Sequence, residues 1–142
     1  MEKIVVGVDG SAGARAALEF AAGEAALHDA RLRVVCAWEI PPALYAGGFG
    51  PGLDPETVDA VQVGAERIVS EAVGAAKELQ PTVECEGSAV HGRPAEVLLQ
   101  EARGSDLMVV SNRGHGGFAS LLLGSVSHQV VRHAPCPVTV VR

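Results

Sequence analysis

The chain has 142 residues and a net charge of −6, with 48% hydrophobic residues but only 4% aromatics. That length fits a single domain over residues 1–142, whose core must come from Val, Leu, Ile and Ala, a bias suited to a parallel sheet covered by alanine-rich helices. No apolar run approaches the roughly 20 residues of a membrane span, no signal-like segment opens the chain, and the acidic balance disfavours nucleic acid; the expectation is a cytoplasmic protein working away from membranes.

In chain order, "KIVVGV" (Lys3 to Val8) is β-branched and almost wholly apolar, as expected of a strand buried on both faces. "DGS" then supplies a turn and a cap. The helix behind it runs to about His28 with Ala14, Ala17, Leu18, Ala21 and Ala25 as its apolar stripe. "RLRVVCAW" (Arg31 to Trp38) reads as the second strand. The Pro- and Gly-rich segment from Pro41 to Gly52 reads as a connection first and a lid second.

Asp54 reads as an N-cap with Pro55 at the first helical position. A stripe of Val58, Val61, Ala65, Ile68, Ala72, Ala75 and Leu79 carries that long helix to Pro81. Thr82 to Val90 is the third strand, Pro94 opens a third helix ending near Arg103, and Asp106 to Val110 is the fourth strand. A fourth helix starts around Ser125, with Val126 and Val130 one turn apart, and stops before Pro135. Pro137 to Val141 is the fifth strand.

Strands and helices alternate throughout, and each crossover is long enough for a right-handed parallel connection. The expected fold is α/β: a doubly wound, Rossmann-like sheet of five parallel strands with helices on both faces. Ligands of such sheets bind at the carboxyl ends of the strands, where the strand order reverses. Those ends include Val8–Asp9, Ala37–Trp38, Val90–His91 and Val110–Ser111.

Charge is unevenly spread. Residues 1–106 carry 17 acids against 8 Lys and Arg, a net −9, whereas residues 107–142 carry Arg113, Arg132 and Arg142 and no acid, a net +3. One local anion site in the last quarter is compatible with that distribution. Cys36, Cys85 and Cys136 form neither a close pair nor a zinc pattern, and read as buried reduced thiols.

The last quarter also holds the Gly- and Ser-rich stretch "SNRGHGGFASLLLGSVS" (Ser111 to Ser127). It is no P-loop, because the sequence contains no Gly-Lys pair. "GHGGFA" (Gly114 to Ala119) matches the dinucleotide fingerprint literally, but that fingerprint needs an acid about 20 residues later. None follows Asp106. What remains is Gly114, nine residues, then Gly124-Ser125 directly before a helix.

A helix start presents unpaired amides and a partial positive charge to an anion. The hydroxyls of Ser125 and Ser127 are candidate donors to phosphate, Gly114 and Gly116 leave room for backbone to close in, and Arg113 and His115 are candidate counter-charges.

This spacing resembles the nucleotide-binding signature of the universal stress protein family. "KIVVGVDGS", "HGRPAEVLLQEA" and "APCPVTVVR" resemble that family's other landmarks, in their usual order, across essentially the whole chain. The resemblance implies ATP as ligand, with Mg or Mn able to join it at Asp9. It sets Asp9 near the ribose and phosphates with Gly7 and Val8 beside it, and Ala37 against the adenine. Val110, Ser111 and Val126 would supply backbone and packing contacts.

The residues alone leave Asp9-Gly10-Ser11 open between helix cap and ligand contact; family position favours contact. Ser111 departs from the signature, which has glycine there. The resemblance further implies a homodimer through the last strand and a regulatory protein partner. The alternatives are a slow ATPase, a dimeric interaction module of the same family that binds no nucleotide, and, distantly, a flavodoxin-like carrier. His28, His91, His128 and His133 read as solvated, capping or turn residues, and Leu121 to Leu123 as core or interface.

Overall fold

The computed structural model describes residues 1–40, 54–112, 114 and 123–142. Nine elements alternate along the chain: β1 (Lys3–Gly7), α1 (Ala12–His28), β2 (Arg31–Trp38), α2 (Pro55–Leu79), β3 (Cys85–His91), α3 (Pro94–Glu101), β4 (Leu107–Ser111), α4 (Ser125–His133) and β5 (Val138–Val141). The five strands form one sheet in the order β3-β2-β1-β4-β5, and every pairing is parallel. The chain thus winds one way from β1 to β3, then crosses to β4 and continues on the other side. The order reverses between β1 and β4.

The alternation of side chains along the central strands divides the core in two. Ile4, Val6, Leu32, Val34, Leu107 and Val109 pack on one face under α1 and α2. Val5, Val35, Met108 and Val110 pack on the other under α3 and α4. This is why β1 reads as an unbroken apolar run: Ile4, Val5 and Val6 are all wholly buried, on alternate faces.

Helix α1 begins where Ser11 caps it, accepting from the Ala14 amide at 3.2 Å. It ends on Asp29, which takes a left-handed conformation (φ 50°) and donates its amide to the Ala25 carbonyl. Asp54 caps α2 by accepting from the Glu56 amide at 3.2 Å, with Pro55 in the first turn, as expected.

Most element ends fall within a residue or two of the sequence reading, and two larger departures have a physical cause. The third strand starts at Cys85, not Thr82, because the Val83 amide closes a turn onto the Gln80 carbonyl at 3.1 Å. Pairing with β2 begins only where Leu32 donates to the Glu84 carbonyl. Leu79, placed in the apolar stripe of α2, is 42% exposed. A 25-residue helix is about 37 Å long, whereas a seven-residue strand extends about 23 Å. The helix is longer than the sheet, and its buried positions Ala65, Val69 and Ala76 share a face from which Leu79, in the last turn, is rotated by about 60°.

Helix α3 is tied to the sheet by charge as well as packing. Arg33 on β2 donates from Nε to Glu101 Oε2 at 2.6 Å and from Nη2 to Glu101 Oε1 at 3.0 Å. The paired guanidinium holds the Glu101 carboxyl below its ordinary range. No helix among the described residues is long and apolar enough to cross a membrane.

Candidate functional site

The strand-order reversal opens a crevice at the carboxyl edge between β1 and β4. On the β1 side the chain runs from Gly7 through Val8 to Asp9. The Val8 amide still donates to the Val35 carbonyl at 2.9 Å, so β1 keeps its direction up to the acid. Asp9 Oδ1 then accepts from the Ser11 amide at 2.9 Å and the Ser11 hydroxyl at 2.5 Å. This Asx-type turn needs Gly10 at φ 83°. The cap of α1 is therefore Ser11, and Asp9 orients the cap.

On the β4 side, Ser111 is the last residue of the strand, in register with Val141. Among the described residues Asp29 is the sole non-glycine with positive φ, so Ser111 sits in ordinary extended backbone. The serine that replaces the family's glycine costs no strain there. Beyond it, Gly114 approaches Asp9 closely: a Cβ built on Gly114 would stand 2.6 Å from Asp9 Oδ2. Gly7 has a packing reason of its own, since a Cβ there would meet Leu98 Cδ2 at 2.9 Å and force that side chain to shift.

Helix α4 starts at the same edge. Gly124 is its N-cap, with extended backbone and no side chain to cap the helix. The Gly124 amide donates to the Asn112 carbonyl at 2.5 Å, and the first helical bond runs from the His128 amide to the Gly124 carbonyl at 3.0 Å. The amides of Ser125, Val126 and Ser127 thus have no acceptor within their own helix. Ser125 is exposed, Val126 half-buried and Ser127 buried.

Ser125 and Ser127 were expected to act alike, as hydroxyl donors to phosphate. Ser127 does otherwise: its hydroxyl is 2.9 Å from the Asn112 carbonyl and 3.2 Å from the Gly124 carbonyl. Both are acceptors, and a hydroxyl has one proton to give.

The remaining candidates divide between these two edges and the neighbouring strand. Ala37, near the end of β2, is half-buried and packs on the α3/α4 side beside Val90. Val110 is buried in the same cluster. Arg113, His115 and Gly116 lie outside the described residues, as do Pro41 to Gly52, Leu121 and Leu122.

Two features escaped the sequence reading. The Asn112 main chain joins β4, α4 and β5, accepting from Gly124 and Ser127 while its amide donates to the Val141 carbonyl at 2.8 Å. A main-chain acceptor leaves no signal in residue type. The Trp38 and His91 rings meet at the ends of β2 and β3, tilted 52° to one another with centroids 4.6 Å apart. Their register pairing is what a sequence could have offered, given the strand order.

Electrostatically the crevice is mixed. A carboxylate stands at the end of β1, and the positive end of a helix stands at the end of β4. Such a pair suits a ligand with hydroxyls or a cation at one part and negative charge at another. Among the described residues no three His, Cys, Asp or Glu side chains cluster as a metal site. Burial and then the Asp9 charge push the Cys36 thiol up to about 11, which favours the protonated form. A groove of about 160 Å³ opens beside the Asp9 turn, between α1 and α2, lined by Val8, Gly10, Ser11, Arg15, Ile68 and Glu71 among others.

Known proteins resemble this chain in sequence and in fold. The model of the universal stress protein family matches residues 1–142. A universal stress protein of Thermus aquaticus is 40% identical over 98% of this chain and 97% of its own length. The chain spans less than half the length of the mycobacterial relatives it matches.

Among solved structures, the universal stress protein UspA from Lactobacillus plantarum superposes with a TM-score of 0.81 at 26% identity, covering 99% of this chain and 97% of that one. A universal stress protein in complex with cAMP superposes with a TM-score of 0.72 at 29% identity, covering 99% and 96%. The chain belongs to the universal stress protein family.

Proposed function

We propose that this protein binds an adenine nucleotide, ATP first, in the β1/β4 crevice and acts as a nucleotide-dependent regulator in the cytoplasm. The observation that carries the reading is the convergence of Asp9, the side-chain-free backbone of Gly114 and the uncapped start of α4 on one edge. In this reading the Ser125 and Val126 amides and the Ser125 hydroxyl receive the phosphates, helped by the helix dipole. Asp9 accepts from ribose hydroxyls or holds a divalent ion shared with the phosphates. Ala37 lies against the base, and Gly7, Val8, Val110, Ser111 and Val126 frame the crevice; Arg113, His115 and Gly116, outside the described residues, belong to the reading through the sequence signature alone. The structural relative with bound cAMP supports the nucleotide class.

The same reading includes a homodimer. Strand β5 is bonded to β4 on one side, and a second copy of β5 would satisfy its outer edge. Nucleotide occupancy would then bias a surface seen by a regulatory protein partner.

The test is to denature the purified protein and identify nucleotide in the supernatant by chromatography and mass spectrometry, then titrate ATP and cAMP calorimetrically into wild type and Gly124→Asp. Co-purified adenine nucleotide and loss of ATP binding in Gly124→Asp, with its melting temperature within a few degrees of wild type, are expected. Unchanged affinity in that variant removes the site proposed here. Absence of both nucleotide and measurable affinity leaves the dimeric interaction module, and ADP accumulating with turnover makes the protein a slow ATPase.

A further inference from the structure

We propose that Ser127 is a positioning residue, whose hydroxyl holds the start of α4 against Asn112 so that the following amides are set for an anion. This deepens the nucleotide reading and rests on it. Ser127 is 2% exposed and the sole buried polar side chain among the described residues. Its hydroxyl reaches the Asn112 carbonyl at 2.9 Å, the same oxygen that accepts from the Gly124 amide. With its proton committed to a carbonyl, Ser127 has no hydroxyl donor left for a phosphate oxygen.

The consequence lies in which amides remain. The Gly124 amide points inward to Asn112, so the end of β4 and the start of α4 are tied together. The amides of Ser125, Val126 and Ser127 are then the ones without intrahelical acceptors. Asn112 is itself anchored from the other side by its amide bond to the Val141 carbonyl. The first turn of α4 is thereby referenced to the sheet through two bonds to one oxygen. An anion site built from amides depends on such prior orientation, because donors that must first be ordered bind more weakly.

The experiment compares wild type, Ser127→Ala and Ser127→Thr by backbone amide exchange in nucleotide-free protein and by calorimetric titration with ATP and with adenosine. In Ser127→Ala the Gly124 amide should exchange at least about tenfold faster, and ATP should bind about tenfold more weakly. Adenosine, which lacks phosphate, should change less than about twofold on the same grounds. Ser127→Thr keeps the hydroxyl and should restore slow Gly124 exchange.

Unchanged Gly124 exchange in Ser127→Ala overturns the proposal, and if ATP is then weakened Ser127 is a direct ligand. Faster exchange with unchanged ATP affinity also overturns it. If wild type binds no nucleotide, the functional reading fails by itself, while Gly124 exchange still decides whether the hydroxyl holds the helix start.

Discussion

Replacing Gly114 with alanine puts a methyl group 2.6 Å from Asp9 Oδ2, about an ångström inside ordinary contact. Gly114 has no positive φ, so alanine adds no backbone strain of its own, and the whole effect comes from the carboxylate. Either Asp9 swings away and loses its bonds from the Ser11 amide and hydroxyl, or the Gly114 backbone retreats from the crevice. Hydrogen bonds to a charged group contribute about 1.5–3 kcal/mol. Asp9 and Ser11 are only half-buried, so the lower end applies, about 1.5 kcal/mol.

For a chain of 142 residues that corresponds to a melting temperature lower by about 5 °C. If ATP needs the same Asp9 geometry, its affinity falls by about tenfold. The assay is thermal unfolding of the four proteins in the cycle wild type, Gly114→Ala, Asp9→Ala and the double variant. In the Asp9→Ala background the added methyl strikes no other described residue and should change the melting temperature by less than about 1 °C. An equal drop in both backgrounds refutes the close approach as the cause.

The Arg33–Glu101 pair gives a second stability test. Its side chains are 21% and 18% exposed, and Glu101→Ala should cost about 2 kcal/mol, about 7 °C in melting temperature, with most of that loss absent in an Arg33→Met background. The same pair sets a pH dependence. The Glu101 carboxyl lies below its ordinary value of 4.5 in the folded protein, chiefly through its bonds to Arg33. The unfolded chain therefore binds the extra proton first, and the contribution is full above 4.5 and lost as pH falls through the lowered folded value. Acid unfolding of Glu101→Gln should be shallower than wild type below that pH, and identical profiles would count against the pairing.

Gly10→Ala should destabilise by about 1–2 kcal/mol in chemical denaturation, because Gly10 sits at φ 83°, where an L side chain is strained; a neutral result would contradict the Asx-type turn. Finally, the carbonyls of Pro137 and Val141 accept from Met108 in β4 and from Asn112 just beyond it, so by the two-residue period Val138 and Val140 turn their backbone groups outward. Val140→Pro removes an outward amide without touching the β4 ladder and should convert the proposed dimer to monomer in sedimentation; a dimer of unchanged affinity would place the interface elsewhere.

Much of this fold could be read from residues because its strongest signals are local. The β1 run has apolar side chains on both faces, and Ser11, Asp54, Pro55 and Pro81 mark where helices begin and end. The reversal of strand order between β1 and β4 is likewise a property of the connections, and five strands alternating with helices announce it. The unread part is non-local or carried by backbone. Gly114 and Asp9 are 105 positions apart in sequence, and nothing near either one announces the other. Ser111 looked like a defect where the signature has glycine, yet as a strand residue paired with Val141 it needs no special conformation.

Ser125 and Ser127 make the limit plainest. They are the same residue type in one motif, and composition assigns them one role. Two positions along a helix is a rotation of about 200°, which leaves one hydroxyl at the exposed start of α4 and turns the other inward to Asn112. The chemistry open to each serine follows from that rotation. The outward one can meet a ligand, and the inward one can only decide how well the helix start is held to meet it.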